Sequence, residues 1–531
     1  MRTLTCLGVL AGLLGALVPP SVAAPPRGSA PAASAWTSSA ASATTSRHVA
    51  VSSAGAAGPG PQAASLHWRP CPAVAAGLEC ASLQVPLDYA RPRGRHITIA
   101  LSEVPASAPG ARRQGVLVVN PGGPGGSGRT LAETVAGELP PSIASEYTIV
   151  GFDPRGVGAS VPSMHCDPSY FRPVQPGYTP ATRAAELALE AKARGYAQAC
   201  ERRYGWLLPY MTTVDTARDV ESIATAMGQA KISYFGFSYG TYIGQVYATL
   251  YPASVKRMVL DSTVDPTGVW YADNLAQDVA AQRRLDAMFA WAAGYDATYH
   301  LGRTGAEVAA SFATAKALLT RRPVPGQLGP DELDDDFVAG LYTTSVWPDL
   351  AAALSSYLRH GSSSGLVALY KTVGAQDENE FAVYNAVECS DVAWPRNWGR
   401  WDSDTRRLVR TAPLVTWDNT WFNAACAFWP VRGPVKPFKV GAPGLPGILM
   451  VQGSADAATP YAGAQRAHAL LPSARMVVVE GDGNHGEFLS AAPGGCVAGY
   501  VYRYLASGRL PTGTGAVNAR CPASRPPLPF G

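Results

Sequence analysis

A serine acts as a nucleophile only where a base takes its proton, and that base works best where an acid orients it. The chain offers such groups in the order serine, acid, histidine. Ser238 stands in Gly236-Phe237-Ser238-Tyr239-Gly240, a G-x-S-x-G pattern whose glycines permit a sharp strand-to-helix turn that exposes the hydroxyl. Asp456 stands in "MVQGSADAATP" and His485 in "GDGNHGEF". The chemistry would be acyl transfer: Ser238 attacks a carbonyl, His485 moves the proton, and Asp456 holds the imidazole tautomer and stabilises the imidazolium. Asp261, in "MVLDS", is the alternative acid; its other reading is a residue that caps or braces a turn.

The neighbourhood of each group narrows the choice. Gly361-Ser362-Ser363-Ser364-Gly365 also fits G-x-S-x-G, but it follows the polar helical stretch "SSYLRH" and reads as a helix end and loop. Ser238 is preceded by a β-branched and aromatic strand and followed by a small-residue helix, the context the motif requires. Of the histidines after Ser238, His300 and His360 fall in a helical insertion, and His468 falls in a helical stretch that suits a surface position. His485 directly follows what reads as the last strand, in a Gly-rich loop, and Asp456 follows the penultimate one. An oxyanion hole is the remaining requirement. "NPGGPGGSG", residues 120–128, clusters glycines that let backbone N–H groups approach a substrate oxygen. Gly123 N–H and Tyr239 N–H are the expected donors. A Gly-rich loop can also cradle phosphate, but neither a G-x-G-x-x-G that opens a helix nor a G-x-x-x-x-G-K-[ST] is read here.

The elements that must position these groups are legible as short apolar runs: "GVLVVNPGG", "YTIVGFDPRG", "ISYFGFSYG", "KRMVLDS", "GILMVQGSAD" and "ARMVVVEGDG". Runs apolar throughout suit central strands of a parallel sheet covered on both faces. Between them "TARDVESIATAMG" and "GTYIGQVYATLYP" carry helical spacing, so the alternation predicts an α/β fold. "LQVPLDYARPRGRHITIALSEVP" reads as two further strands around a Pro/Gly turn. The rhythm breaks between 265 and 446, an Ala- and Trp-rich, mostly helical stretch far longer than a usual crossover. It is expected to be a helical cap over the carboxyl edge of the sheet, where open α/β sheets bind ligands. The catalytic core is then expected in two parts, 66–264 and 447–531.

Composition sets the surroundings. The chain has 531 residues, 47% hydrophobic and 15% charged, with a net charge of +4, which is no footprint for nucleic acid. Residues 1–24 pair one early arginine with an apolar run and a small-residue exit, the layout of a secretory signal peptide. Residues 25–65 are Ala, Ser, Gly, Pro and Thr with few large apolar groups, and read as a removed pro-segment, a tether or a plain disordered linker. No later stretch has the roughly 18 uninterrupted apolar residues of a membrane span. Setting Cys6 aside, eight cysteines remain, an even number that favours disulfides in an exported chain, with nearest-neighbour pairing the simplest arrangement.

Taken together, "NPGGPGGSG", "GFDPRGVGAS", "TARDVESIATAMG", "GFSYGTYIGQVYATLYP", "VQGSADAATP" and "GNHG" resemble the secreted bacterial tripeptidyl aminopeptidases of the α/β-hydrolase superfamily, relatives of the prolyl aminopeptidases. The resemblance runs from about residue 83 to 521. It implies an α/β-hydrolase fold with an inserted helical cap. It also implies Ser238 as nucleophile, Asp456 as acid, His485 as base, Gly123 and Tyr239 as oxyanion donors, and no metal or organic cofactor. Pro121 is a departure: the prolyl enzymes have a histidine before their Gly-Gly-Pro-Gly, a difference shared with the tripeptidyl group that tells against strict release of single prolines. The expected function is an exported serine exopeptidase that removes short peptides, above all tripeptides, from free N-termini. Its substrate ammonium needs a carboxylate. "NAVECSDVAWP" offers Glu388 and Asp391, either of which could instead cap a helix or make a surface pair. The rival readings are a prolyl aminopeptidase or esterase on the same scaffold and, in another class, an inactive cell-surface binding protein.

Overall fold

The computed structural model describes residues 66–530. The expected signal peptide and the segment 25–65 lie outside the described residues. Ten strands form one sheet: β1 (Arg69–Pro70), β2 (Glu79–Pro86), β3 (His96–Val104), β4 (Gly115–Asn120), β5 (Tyr147–Asp153), β6 (Ile232–Phe237), β7 (Val255–Asp261), β8 (Ile448–Gly453), β9 (Ala474–Glu480) and β10 (Ala519–Pro522). Their order is β1-β2-β3-β5-β4-β6-β7-β8-β9-β10. The pairs β1/β2, β2/β3 and β3/β5 are antiparallel, and every pairing from β5 to β10 is parallel. The residue pattern explains the division. In β2 the outer half alternates buried and exposed positions, as a strand with one solvated face does. β6 and β8 are buried at all six positions, because helices cover both faces of the sheet there.

The principal helices are α1 (Leu131–Glu138), α2 (Arg183–Tyr204), α3 (Thr213–Ala226), α4 (Tyr239–Leu250), α5 (Tyr271–Ala293), α6 (Gly305–Arg321), α7 (Pro330–Tyr342), α8 (Trp347–His360), α9 (Glu378–Asp391), α10 (Trp398–Leu408), α11 (Thr416–Asn423), α12 (Tyr461–Leu470), α13 (Glu487–Ser490) and α14 (Cys496–Ser507). Successive residues of a strand face opposite ways. Val116 and Val118 therefore meet Val220 and Ile223 of α3 and Ile243 and Val246 of α4, while Leu117 and Val119 meet Leu131 and Val135 of α1 and Val501 of α14.

Between the ends of β7 and β8 the chain runs through α5 to α11. Leu285, Met288, Phe312, Phe337, Trp347 and Leu350 of α5 to α8 make a hydrophobic cluster of their own. α9 belongs elsewhere: Phe381, Val383 and Val387 join the cluster on the sheet. Cysteines pair as nearest neighbours, Cys71–Cys80, Cys166–Cys200, Cys389–Cys426 and Cys496–Cys521. Two features differ from the sequence expectation. β9 is not the last strand, because the four-residue β10 pairs beyond it and is tied to α14 through Cys496–Cys521. And a second excursion, from 154 to 212, inserts α2 and a Pro-rich loop between β5 and α3. No helix among the described residues is long and apolar enough to cross a membrane.

Candidate active site

Ser238 sits between the last residue of β6 and the first of α4, with φ 55° and ψ −129°. A side chain in that region costs about 1–3 kcal/mol, and the surrounding structure must hold it there. The two motif glycines make the turn possible. A Cβ on Gly236 would stand 2.3 Å from the Gly240 carbonyl oxygen, so the elbow closes only without side chains at those positions. Ser238 N–H donates to Asp261 O at 3.0 Å, and Thr241 returns two hydrogen bonds to Ser238 O.

The Gly-rich loop after β4 lies directly on this elbow. Gly122 has φ 101°, and a Cβ there would fall 2.7 Å from Phe237 O and 2.8 Å from Tyr239 N. Neither Gly123 N–H nor Tyr239 N–H donates to an acceptor among the described residues. Residues 123, 125 and 128 do in fact carry G-x-G-x-x-G spacing, with α1 beginning three residues later. The loop nevertheless packs on Ser238 through Gly122, and Pro121 and Gly123 line the cavity that Ser238 lines.

His485, in the loop after β9, is buried. Its Nδ1 lies 3.1 and 3.0 Å from Asp456 Oδ1 and Oδ2. The carboxylate is fixed in turn: Oδ1 accepts from Ala458 N (2.9 Å) and Thr459 N (3.0 Å), and Oδ2 from Thr459 Oγ1 (2.9 Å). Burial pushes the Asp456 carboxyl up, but the charge and hydrogen bond of His485, with Thr459 N–H and Ser262, more than reverse this and hold it below the ordinary range. Burial disfavours the charged imidazole of His485, and Asp456 overcomes that too, with a smaller push from Asp261, so its pKa is raised. The other nitrogen, Nε2, is buried with no protein partner. No hydrogen bond joins it to Ser238 Oγ in this arrangement; such contacts are often long until a substrate docks. His485 N–H donates to Tyr342 O at 2.7 Å, and the two rings meet edge to face at 5.4 Å.

Asp261, the alternative acid, accepts from Glu487 N (3.0 Å) and Phe488 N (2.7 Å), at the start of α13. Burial raises it to about 7. It braces the segment that carries His485 and makes no hydrogen bond to the imidazole. Ser262 works beside it: its hydroxyl accepts from Gly486 N at 2.8 Å. Ser262 was not singled out from the sequence, although it stands in the same "MVLDS".

Ser238, Tyr239, Gly123 and His485 line one cavity of about 810 Å³ under α5, α7, α9 and α11. Glu388 also lines it, accepting from Asn274 Nδ2 at 3.2 Å, and burial raises it to about 8. Asp391 does not. Its carboxylate accepts from Thr213 N (2.7 Å), Thr213 Oγ1 (2.5 Å) and Trp270 Nε1 (3.3 Å), so it braces the start of α3 and is withdrawn as a candidate for the substrate amine. Glu380, in the first turn of α9, packs on the glycine loop and lines the cavity. Nothing within "DENEF" marks it out. Ser363 stands at the surface turn after α8, away from the cavity.

Comparison with known proteins agrees with this architecture. Residues 115–322 match the family model described as alpha/beta hydrolase fold, and residues 412–518 the one described as TAP-like protein. The chain is 40% identical over 480 residues to a tripeptidyl aminopeptidase of Streptomyces lividans, covering 88% of each chain. It is 30% identical over 488 residues to the serine protease Hip1 of Mycobacterium tuberculosis, covering 84% of this chain and 89% of that one. A carboxylesterase B of the same organism is 28% identical over 459 residues, covering 81% of this chain and 85% of the relative.

Proposed function

Because this chain belongs to the tripeptidyl aminopeptidase family of α/β hydrolases, we propose that it is an exported serine exopeptidase releasing tripeptides from free N-termini, with Ser238, His485 and Asp456 as its catalytic residues. The observation that carries the reading is the free Nε2 of an Asp456-bound His485, in the same cavity as a serine on a strained elbow. Neutral His485 carries its proton on Nδ1, toward Asp456, and so presents a lone pair on Nε2 to the Ser238 hydroxyl. As Ser238 Oγ bonds to the scissile carbonyl carbon, its proton passes to Nε2 and negative charge develops on the carbonyl oxygen. Gly123 N–H and Tyr239 N–H receive that oxygen; one such donor is worth about 3–4 kcal/mol of barrier. The imidazolium then protonates the leaving amine, the C–N bond breaks, and an acyl-enzyme remains. Water repeats the sequence and frees the peptide acid. No step calls for a metal or an organic cofactor.

Helices α5, α7, α9 and α11 all contribute to the lining of the cavity that holds Ser238, and cover of this kind favours a chain end over a continuous polypeptide as occupant. Ten carboxyl groups line the cavity against two arginines, Arg466 and Arg525. Burial holds several of these carboxyls toward the neutral form, and a substrate ammonium group would draw them toward the charged one. Four disulfides fit a protein that works outside a reducing compartment. The test is twofold. A fluorophosphonate probe should label the wild-type protein and leave Ser238→Ala unlabelled. A free-amine tripeptide amide should be cleaved at least about a hundredfold faster than its acetylated twin, a difference of ~2.7 kcal/mol. Labelling without that ratio would leave an esterase on the same site, and absence of labelling a binding protein.

A further inference from the structure

Two carboxylates in the cavity lack any partner. Asp335 of α7 is buried, 5% exposed, and Asp418 of α11 is half-buried; neither accepts a hydrogen bond nor pairs with a cation among the described residues. The nearby cations are otherwise engaged, Lys316 by Asp334 and Lys192 by Gln175. Burial pushes both carboxyls upward, Asp335 with a further push from Asp418 and Asp418 to about 7, and a cation joining them would relieve that cost. A third group from a different part of the chain faces the same place. Tyr178, in the loop before α2, is 9% exposed and lines the cavity, and its hydroxyl has no partner among the described residues. Asp335 and Asp418 are the charges felt most strongly by that phenol, which burial first and these carboxylates next push upward. Tyr178 is held between the two helices, its N–H donating to Asp331 Oδ1 of α7 and its carbonyl accepting from Trp421 Nε1 of α11, so a phenol and two carboxyl groups from three elements border the cavity together and make a receptor for a small hydrogen-bond donor of positive charge.

Distance selects which donor. Tyr342, at the far end of α7, meets His485 edge to face, and Asp335, Val338 and Tyr342 all line the cavity along one face of the helix. Seven residues of helix rise about 10 Å. Three extended residues span about the same length, at roughly 3.3–3.6 Å each. One residue reaches only a third of the way. We infer that Asp335 and Asp418, with Tyr178, bind the N-terminal ammonium of the substrate and thereby set the length of the released peptide at three residues. This rests on the exopeptidase reading above and replaces Glu388, whose carboxylate already has Asn274 as a donor, as the amine ligand.

The test is the ratio of kcat/KM for a free-amine tripeptide amide to that for its N-acetyl form, measured for wild type, Asp335→Asn, Asp418→Asn and Glu388→Gln. The ratio is internal to each protein, so a smaller folded fraction cancels, and if one Asn variant does not accumulate the other reads the same site from a different helix. The expected result is a ratio of at least about a hundred in wild type, falling at least tenfold in each Asp→Asn variant, mostly through KM, and kept in Glu388→Gln. A wild-type ratio near one would remove the exopeptidase reading itself. A high wild-type ratio that survives both Asp→Asn changes, or that Glu388→Gln alone abolishes, would overturn the assignment of Asp335 and Asp418 and leave the exopeptidase reading standing.

Discussion

Replacing Asp456 by Asn should remove almost all turnover while leaving the fold intact, and the structure says why. Oδ1 of Asp456 accepts two backbone N–H groups, from Ala458 and Thr459, which do not move without the loop. In the variant the amide oxygen must therefore stay at Oδ1, and the NH2 group takes the place of Oδ2, 3.0 Å from His485 Nδ1. Thr459 Oγ1 can rotate its proton away to accommodate it. A donor then stands at 3.0 Å from Nδ1, while the amide oxygen at 3.1 Å already accepts two backbone N–H groups; the balance shifts to the tautomer with its proton on Nε2, the nitrogen that has to accept from Ser238. The wrong tautomer in an otherwise unchanged geometry costs about 10⁴ in kcat in a serine protease, or ~5 kcal/mol. The assay is steady-state hydrolysis of a free-amine tripeptide anilide, with Asp261→Asn as the companion. Asp261 accepts from Glu487 and Phe488 N–H groups, so its change should lower the melting temperature and leave kcat within about tenfold, the loss of one such brace being worth ~1–2 kcal/mol. Asp456→Asn retaining more than about a tenth of wild-type kcat, with Asp261→Asn losing it, would move the acid to β7 and refute the tautomer argument.

Other outcomes follow from the same contacts. Ser238→Ala should abolish turnover and Ser363→Ala should leave it unchanged, which a single hydrolysis assay of both variants reads. His485 must be neutral to accept a proton, and Asp456 holds its pKa above 6.5, so kcat/KM should fall on the acid side with a midpoint above that value; a midpoint near 5 would exclude His485 as the base. Burial holds Asp278, Glu380 and Glu388 at about 8 and Glu487 at about 10. The folded protein thus binds more protons than the unfolded chain from about pH 4 upward, and stability is lost as pH rises toward those values. The melting temperature should therefore be higher at about pH 5.5 than at about pH 8.5, and the opposite order in a thermal scan would contradict these burial assignments. Incubation with EDTA should leave hydrolysis of the anilide unchanged, whereas loss restored by added zinc would overturn the metal-free scheme.

The sequence carried the elbow and its partners because each is a local event. A buried β-branched and aromatic strand, two glycines and a small-residue helix specify the Ser238 turn within twelve residues. Asp456 and His485 each stand just past a recognisable apolar run, so their places could be read without knowing the sheet order. What stayed hidden depends on long-range packing. Asp391 and Glu388 lie three residues apart on α9, yet one braces Thr213 and the other faces the cavity; nothing in "NAVECSDVAWP" distinguishes them. Asp335 sits in a run, "DELDDDF", that reads as a solvated acidic helix, and Asp334, Asp335 and Asp336 are nonetheless buried. Tyr178 belongs to a Pro- and Gly-rich loop with no periodicity at all, and only the packing of that loop against α7 and α11 brings it to the cavity. β10 was missed because four residues without an apolar run are held by Cys496–Cys521 and pairing with β9.

The central claim is tested most directly by the masses released from one hexapeptide with a free N-terminus and from the same hexapeptide acetylated. The account predicts that mass spectrometry will find two tripeptides from the free hexapeptide and no cleavage of the acetylated one on the same timescale, with neither product formed by Ser238→Ala. Single amino acids as the first products, or equal cleavage of both peptides, would contradict it.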